Sequence, residues 1–327
     1  MARCARQIVM GLLLAVAACG FAQDQARPAA ETTPPAPLEP SQAHKQAPKQ
    51  ADLKPVDLHP DASGVVPMEQ IRELLRRAEE KDFENDKKQR DYTYIEREEE
   101  HKLGSHGEVK KIESRTSEVL EIYGEPVERL TAKDDKPLPA DEAKKEEERI
   151  QKIIDKRKKE SDESRRKRLE KEEKERQEDR KFVLEVADAF NFRLVGSELI
   201  GGRDSWVLDC EPRPGFQPKS MEAKMLTKLK GRIWIDKKDE QWTKLDVTAM
   251  DTVSFGWVLA RIHKGTHVLF EQTKVNDEVW LPKHIQAHVD VRIALFKGYD
   301  VDVDHAFRDY KKFRTDTKIT VVGEESR

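Results

Sequence analysis

From Val279 to Leu295 apolar and polar residues alternate without a turn signal. Val279, Leu281, Ile285, Ala287, Val289, Val291, Ile293 and Leu295 share one parity; Trp280, His284, Gln286, His288, Asp290 and Arg292 share the other. Only Lys283 breaks the apolar row. A period of two over this length predicts a β-strand with one dry face. Similar runs precede it: FRLVGSELI, DSWVLDCEP, GRIWIDK, WTKLDVTAM, GWVLARIH and THVLFEQTKV. Asp236–Glu240, Lys264-Gly265, Asn276-Asp277 and the glycines of SELIGGRD supply the turns between them. Earlier, DYTYIERE and the run over 109–130 also predict strands, with a turn over Gly104–Gly107. VDVDHAFRDYKKF and KITVV are expected to close the sheet. A sheet of such strands must cover its apolar side with a second sheet, helices or a ligand.

Helical periodicity is confined to a few places. Ile71, Leu74, Leu75 and Ala78 form a stripe after Pro67, predicting a helix that fades near Asn85. Phe182, Val186 and Phe190 fall on one face of a later turn, and a short helix is expected within 217–229. Between these lies a stretch of another kind. From Asp141, a plausible cap, to Lys181 roughly three-quarters of the residues are charged, with the signs nearly balanced. Glu148–Lys152, Asp155–Lys159, Asp162–Arg166, Glu163–Lys167, Glu170–Lys174 and Glu172–Arg176 are spaced four apart with the acid first. Each such pair supports a helix by about 0.2–0.5 kcal/mol. Beyond the patch Ile150, Ile153, Ile154 there is little apolar stripe, so one solvent-exposed rod over 141–181 is predicted.

The chain start sets the expected compartment. Arg3 and Arg6 precede the apolar run Ile8–Val16, and small residues follow. That is the layout of a secretory signal peptide, too short in its apolar part to span a bilayer. Cleavage after Ala22 gives a soluble periplasmic protein, with residues 1–22 as the signal. Val16-Ala17-Ala18-Cys19 also fits a lipobox, in which Cys19 carries the lipid attachment and the product is an outer-membrane lipoprotein. Residues 23–65, rich in Pro, Ala, Gln and Lys, are expected to be a disordered tether, leaving 66–327 as the domain with its insertion at 141–181.

Composition narrows the function classes. Net charge is −3 and 38% of residues are charged, with the signs mixed, so no basic stripe for nucleic acid exists. After the signal leaves, Cys210 has no cysteine to pair with and is expected to be a buried apolar residue. No nucleophile elbow, phosphate loop, dinucleotide fingerprint or metalloprotease helix occurs, so neither an enzyme nor a cofactor is expected. EREEEH (96–101) predicts a solvated acidic face without an apolar pocket. His263, His267, His284 and His288 are weak candidates for a metal, since neighbouring strands could bring them together without a nearby cysteine or matching acid.

GRIWIDKKDEQWTKLDV (231–247), the hairpin HKGTHVLFEQ, the strand VWLPKHI and the closing FRDYKKF (307–313) follow a signal and a helix. In this order they resemble the outer-membrane lipoprotein-sorting family, the LolA/LolB-like carriers, over 67–327. The resemblance implies an α+β fold in which a strongly bent antiparallel half-barrel encloses helices. It implies a hollow for acyl chains and an envelope role, as carrier or as stress sensor with a protein partner. On that basis Leu281, Ile285, Val289, Val291, Ile293 and Leu295 are the candidate ligand-binding row, and a hydrophobic ligand or lipoprotein is the expected partner. The long tether and the charged insertion depart from the simple carriers.

Overall fold

The computed structural model describes residues 56–123, 125–255, 260–293 and 297–313. The chain forms α1 (Met68–Gln89), β1 (Tyr92–Leu103), β2 (Val109–Ile122), β3 (Glu125–Lys133) and β4 (Lys136–Pro137). Then come α2 (Ala140–Lys158), α3 (Asp162–Ala189), β5 (Phe190–Ile200), β6 (Arg203–Pro212) and α4 (Met221–Leu226). It ends with β7 (Leu229–Asp236), β8 (Trp242–Ala249), β9 (Val253–Phe255), β10 (Ala260–Ile262), β11 (His267–Val275), β12 (Val279–Ile293) and β13 (Lys297–Lys312). KITVV and Leu295 lie outside the described residues.

All pairings are antiparallel, in the order β4-β3-β2-β1-β13-β12-β11-β8-β7-β6-β5, with β10 and β9 added beside β12. The sheet is open and curved, and with its helices it makes the α+β half-barrel expected. Local chemistry fixes its hairpins. Gly201 and Gly202, like Asn276 and Asp277, hold positive φ at both turn positions, which matches the twist of the flanking strands. Gly231 tolerates no side chain, because a Cβ there would stand 2.5 Å from the Asp246 carbonyl oxygen.

Helix α1, about 33 Å long, crosses the inner side of the sheet. Val66 N at its entry donates to Phe192 O of β5 at 2.8 Å, Lys81 pairs with Glu240 between β7 and β8 at 2.8 Å, and Asn85 reaches β12. The predicted stripe Ile71, Leu74, Leu75, Ala78 is buried and continues through Asp82 and Asn85, past the point where the apolar pattern ends. Asn85 donates to Trp280 O at 2.7 Å and accepts from Trp280 N at 2.6 Å, standing in for a strand neighbour. The domain also begins earlier than composition suggests: Val56 and Leu58 are core residues, and Val56 N donates to Glu240 Oε1 at 2.9 Å.

The charged insertion differs most from expectation. It is two helices, broken at Lys159–Ser161, where the Ser161 hydroxyl caps Ser164 N at 3.2 Å. The start is Ala140 after Pro139, with no side-chain cap from Asp141. Helix α2 is docked on the sheet edge rather than projecting. Ile150 is buried, Glu146 Oε1 accepts Leu130 N at 2.9 Å, and Arg149 donates to the Glu128 carbonyl. Side chains thus satisfy the open backbone edge of β3, which would otherwise invite another strand. Arg157 and Arg168 both pair with Glu125, and Arg168 also with Glu160 at 3.0 Å. In α3 the predicted pair Glu163–Lys167 forms at 2.8 Å. Its last turns bury Phe182, Val183, Ala187 and Ala189 against α1 and β5–β8.

Candidate functional site

Cross-strand register sorts the two faces of the sheet. One inner row runs Leu194, Leu208, Ile233, Leu245, Phe270, Ile285, His305, Glu98, Arg115. The next runs Phe192, Cys210, Gly231, Val247, Val268, Ala287, Val303, Glu100, Glu113. Both are apolar from β5 to β12 and turn charged at β13–β1. An outer row, Arg193, Asp209, Arg232, Asp246, Leu269, Gln286, Asp304, Glu99, is nearly all polar.

Cover over the inner face is uneven. Helices α1 and α3 close the β5–β8 part into one core, and Met225 of α4 packs with Val253, Ile262, Val268, Val289 and Val291 in a second. Ile285, Ala287, Val301, Val303 and Phe307 are only half-buried. They form an apolar band on β12–β13 between the helix-covered core and the charged wing of β1–β2.

The predicted ligand row is divided by this arrangement. Glu271 faces His284 and Gln272 faces Pro282, so Lys283 is an extra residue in β12. A bulge of one residue reverses parity along the strand. Leu281 therefore joins Val279, Tyr92, Val275 and Tyr310 in a separate cluster, away from Ile285, Val289 and Val291. Trp280, expected on the wet face, is buried and donates its indole N–H to Asp239 at 2.9 Å. Val289 and Val291 lie under Met225, while Ile285, packed against their cluster, belongs to the half-buried band. Ile293 ends β12, and Leu295 falls outside the described residues.

The histidines stand on the outer side and, contrary to expectation, each has a matching acid. His263 meets Asp290 at 2.8 Å, His267 meets Asp246 at 2.9 Å, His284 meets Asp304 at 2.9 Å and His288 meets Asp302 at 2.8 Å. Among the described residues no group of three or more His, Cys, Asp or Glu is placed to hold a metal ion. Cys210 is buried, and burial pushes its thiol pKa up. No helix among the described residues is long and apolar enough to cross a membrane.

The acidic strand β1 is the site the sequence hid. Glu96, Glu98 and Glu100 project inward opposite Phe307, His305 and Val303. Arg115 pairs with Glu98 at 3.0 Å and with Glu100 at 3.9 Å, and His305 approaches Glu96 at 3.5 Å. Desolvation first, then the neighbouring Glu98, raises the Glu100 pKa. Glu128, more open to solvent, is pushed the same way by desolvation and by Glu96 and Glu98. EREEEH is therefore not a uniformly solvated face.

No family model matches the chain, and no curated protein does. Among solved structures it is similar to an outer membrane lipoprotein-sorting protein domain from Vibrio parahaemolyticus, 12% identical, covering 75% of this chain and 94% of that one, TM-score 0.30. A DUF1329 family protein from Desulfovibrio piger is 11% identical, covering 75% and 93%, TM-score 0.26. A LolA superfamily protein from Nitrosomonas europaea is 10% identical, covering 75% and 94%, TM-score 0.25. The family that the sequence resembles is among these.

Proposed function

We propose that the chain is a non-catalytic module of the cell envelope that binds a hydrophobic ligand, or the acyl chains of a lipoprotein, on its inner face. The observation that carries this is the half-buried band Ile285, Ala287, Val301, Val303 and Phe307 beside a closed core. Apolar surface left in contact with water gains about 25 cal/mol per Å² when a ligand covers it. Val289 and Val291, buried under Met225, adjoin this band. The signal-like start supports a location outside the cytoplasm, in the periplasm or, with Cys19 acylated, on a membrane by a lipid anchor.

A second reading follows from the burial of Val289 and Val291 under Met225. If the protein's own side chains fill the hollow, the module is structural or signalling and its charged helices meet a protein partner. A fluorescent fatty acid separates the two, using the chain with its Val56–Leu58 arm intact. Saturable binding displaced by unlabelled lipid is expected. Ala287→Trp should remove it by filling the band while leaving the thermal midpoint nearly unchanged. Absence of binding by folded protein would overturn the ligand reading.

A further inference from the structure

At the charged end of the apolar band four rings gather. Tyr94 of β1 stands 5.2 Å from Tyr310 and 6.1 Å from Phe307 between ring centres, and His305 stacks on Phe307 at 4.2 Å. Tyr310 donates its hydroxyl to the Pro282 carbonyl, which fixes that ring. Glu96 follows Tyr94 by two residues on the same inward side and pairs across the strands with Phe307. Burial raises the Tyr310 pKa, and charge on Tyr94 and Glu96 adds to it. Four carboxylates, of Glu96, Glu98, Glu100 and Glu128, share this corner with the Arg115 guanidinium and the His305 imidazole. Desolvation raises the Glu100 and Glu128 pKa values, and the neighbouring carboxylates add to it.

Aromatic faces carry negative charge at their centres and attract ammonium groups, above all alkylated ones that shed water cheaply. Carboxylates beside such rings add long-range attraction for the same cation. The apolar band leads from this corner along Val303, Val301 and Ala287, in the direction an alkyl stem would follow. An anionic head group, as on a free fatty acid, would meet like charge here instead.

We propose that the corner formed by Tyr94, Phe307, Tyr310, Glu96 and Glu98 receives the ammonium head of a cationic amphiphile whose alkyl chain lies on the β12–β13 band. This rests on the hydrophobic-ligand reading above and adds the head-group class to it.

The test compares dodecyltrimethylammonium with dodecanoate, both below micelle formation, by calorimetric titration into the full chain. The cation should bind about tenfold more tightly than the carboxylate, in line with one cation–π contact joined by carboxylates. Glu96→Gln with Glu98→Gln should bring the two affinities together, and Phe307→Leu should weaken the cation while sparing dodecanoate. Equal binding of both probes, or a preference that survives these substitutions, would overturn the head-group assignment and leave the hydrophobic site standing. Binding of neither would overturn the hydrophobic reading itself. Tight binding of a lysine octapeptide without an alkyl chain would assign the corner to a basic protein segment and contradict the amphiphile. Melting curves of each variant show whether a loss comes from unfolding.

Discussion

Replacing Phe270 with alanine is expected to destabilise the protein by about 3–5 kcal/mol. Phe270 is 1% exposed and sits on β11 between Leu245 and Ile285, in the middle of the inner row. Truncation removes a large apolar surface from the core and leaves a cavity that strands hydrogen-bonded on both sides cannot collapse to fill. A loss of that size is a large share of the 5–15 kcal/mol typical of a folded domain. Gln286→Ala, one register step away on the outer side, should stay within about 0.5 kcal/mol. Urea midpoints of the two variants check the assignment of faces. Similar shifts in both would mean that the register, and with it the inner row, is wrong.

The second large effect is expected at Glu240, which lies in the turn between β7 and β8 with its side chain 2% exposed. It receives Lys81 at 2.8 Å, Arg77 at 3.6 Å and Val56 N at 2.9 Å. Removing Glu240 strands the Val56 N–H and takes a partner from Lys81, while Arg77 keeps Glu73 at 2.7 Å, a cost of about 1–3 kcal/mol. Glu240→Ala should therefore cost that much and release the Val56–Leu58 arm to proteolysis. Glu240→Gln keeps an acceptor for Val56 N and should cost less. Glu80→Ala, which breaks the exposed pair with Arg76, supplies the comparison and should be nearly silent. If Glu240→Ala behaves like Glu80→Ala, the arm is not held in this way.

How much of this was legible in the sequence depends on the range of the signal. Turns at Gly201-Gly202 and Asn276-Asp277 are local, because positive φ favours these residue types, and they stand where expected. The α1 stripe was legible for the same reason, but its polar extension to Asn85 was not, since the partner is a backbone 195 residues away. Counting by twos along β12 failed at Lys283 because the break at Pro282-Lys283 reads as a single polar exception in the row, although proline inside a strand marks an edge or a bulge. The Ser161 cap was present in the sequence, yet the run of acid-first pairs on both sides concealed the break. Docking of α2 depends on Glu146 and Arg149 meeting the backbone of β3, and nothing in charge patterning distinguishes them from solvated neighbours. The acids of β1 became a site only through strand order. Pairing β1 with β13 sets Glu96 and Glu98 against Phe307 and His305, more than 200 residues later in the chain.

The central claim is that the inner face of β12–β13 takes a hydrophobic chain. A fatty acid carrying a diazirine along its tail, photolysed with the full chain and mapped by peptide mass, tests this most directly. Labels should concentrate on peptides containing Ile285, Ala287, Val301, Val303 and Phe307, and Ala287→Trp should abolish them. Labels confined to exposed apolar residues such as Leu199 and Tyr123, unaffected by that substitution, would contradict the account.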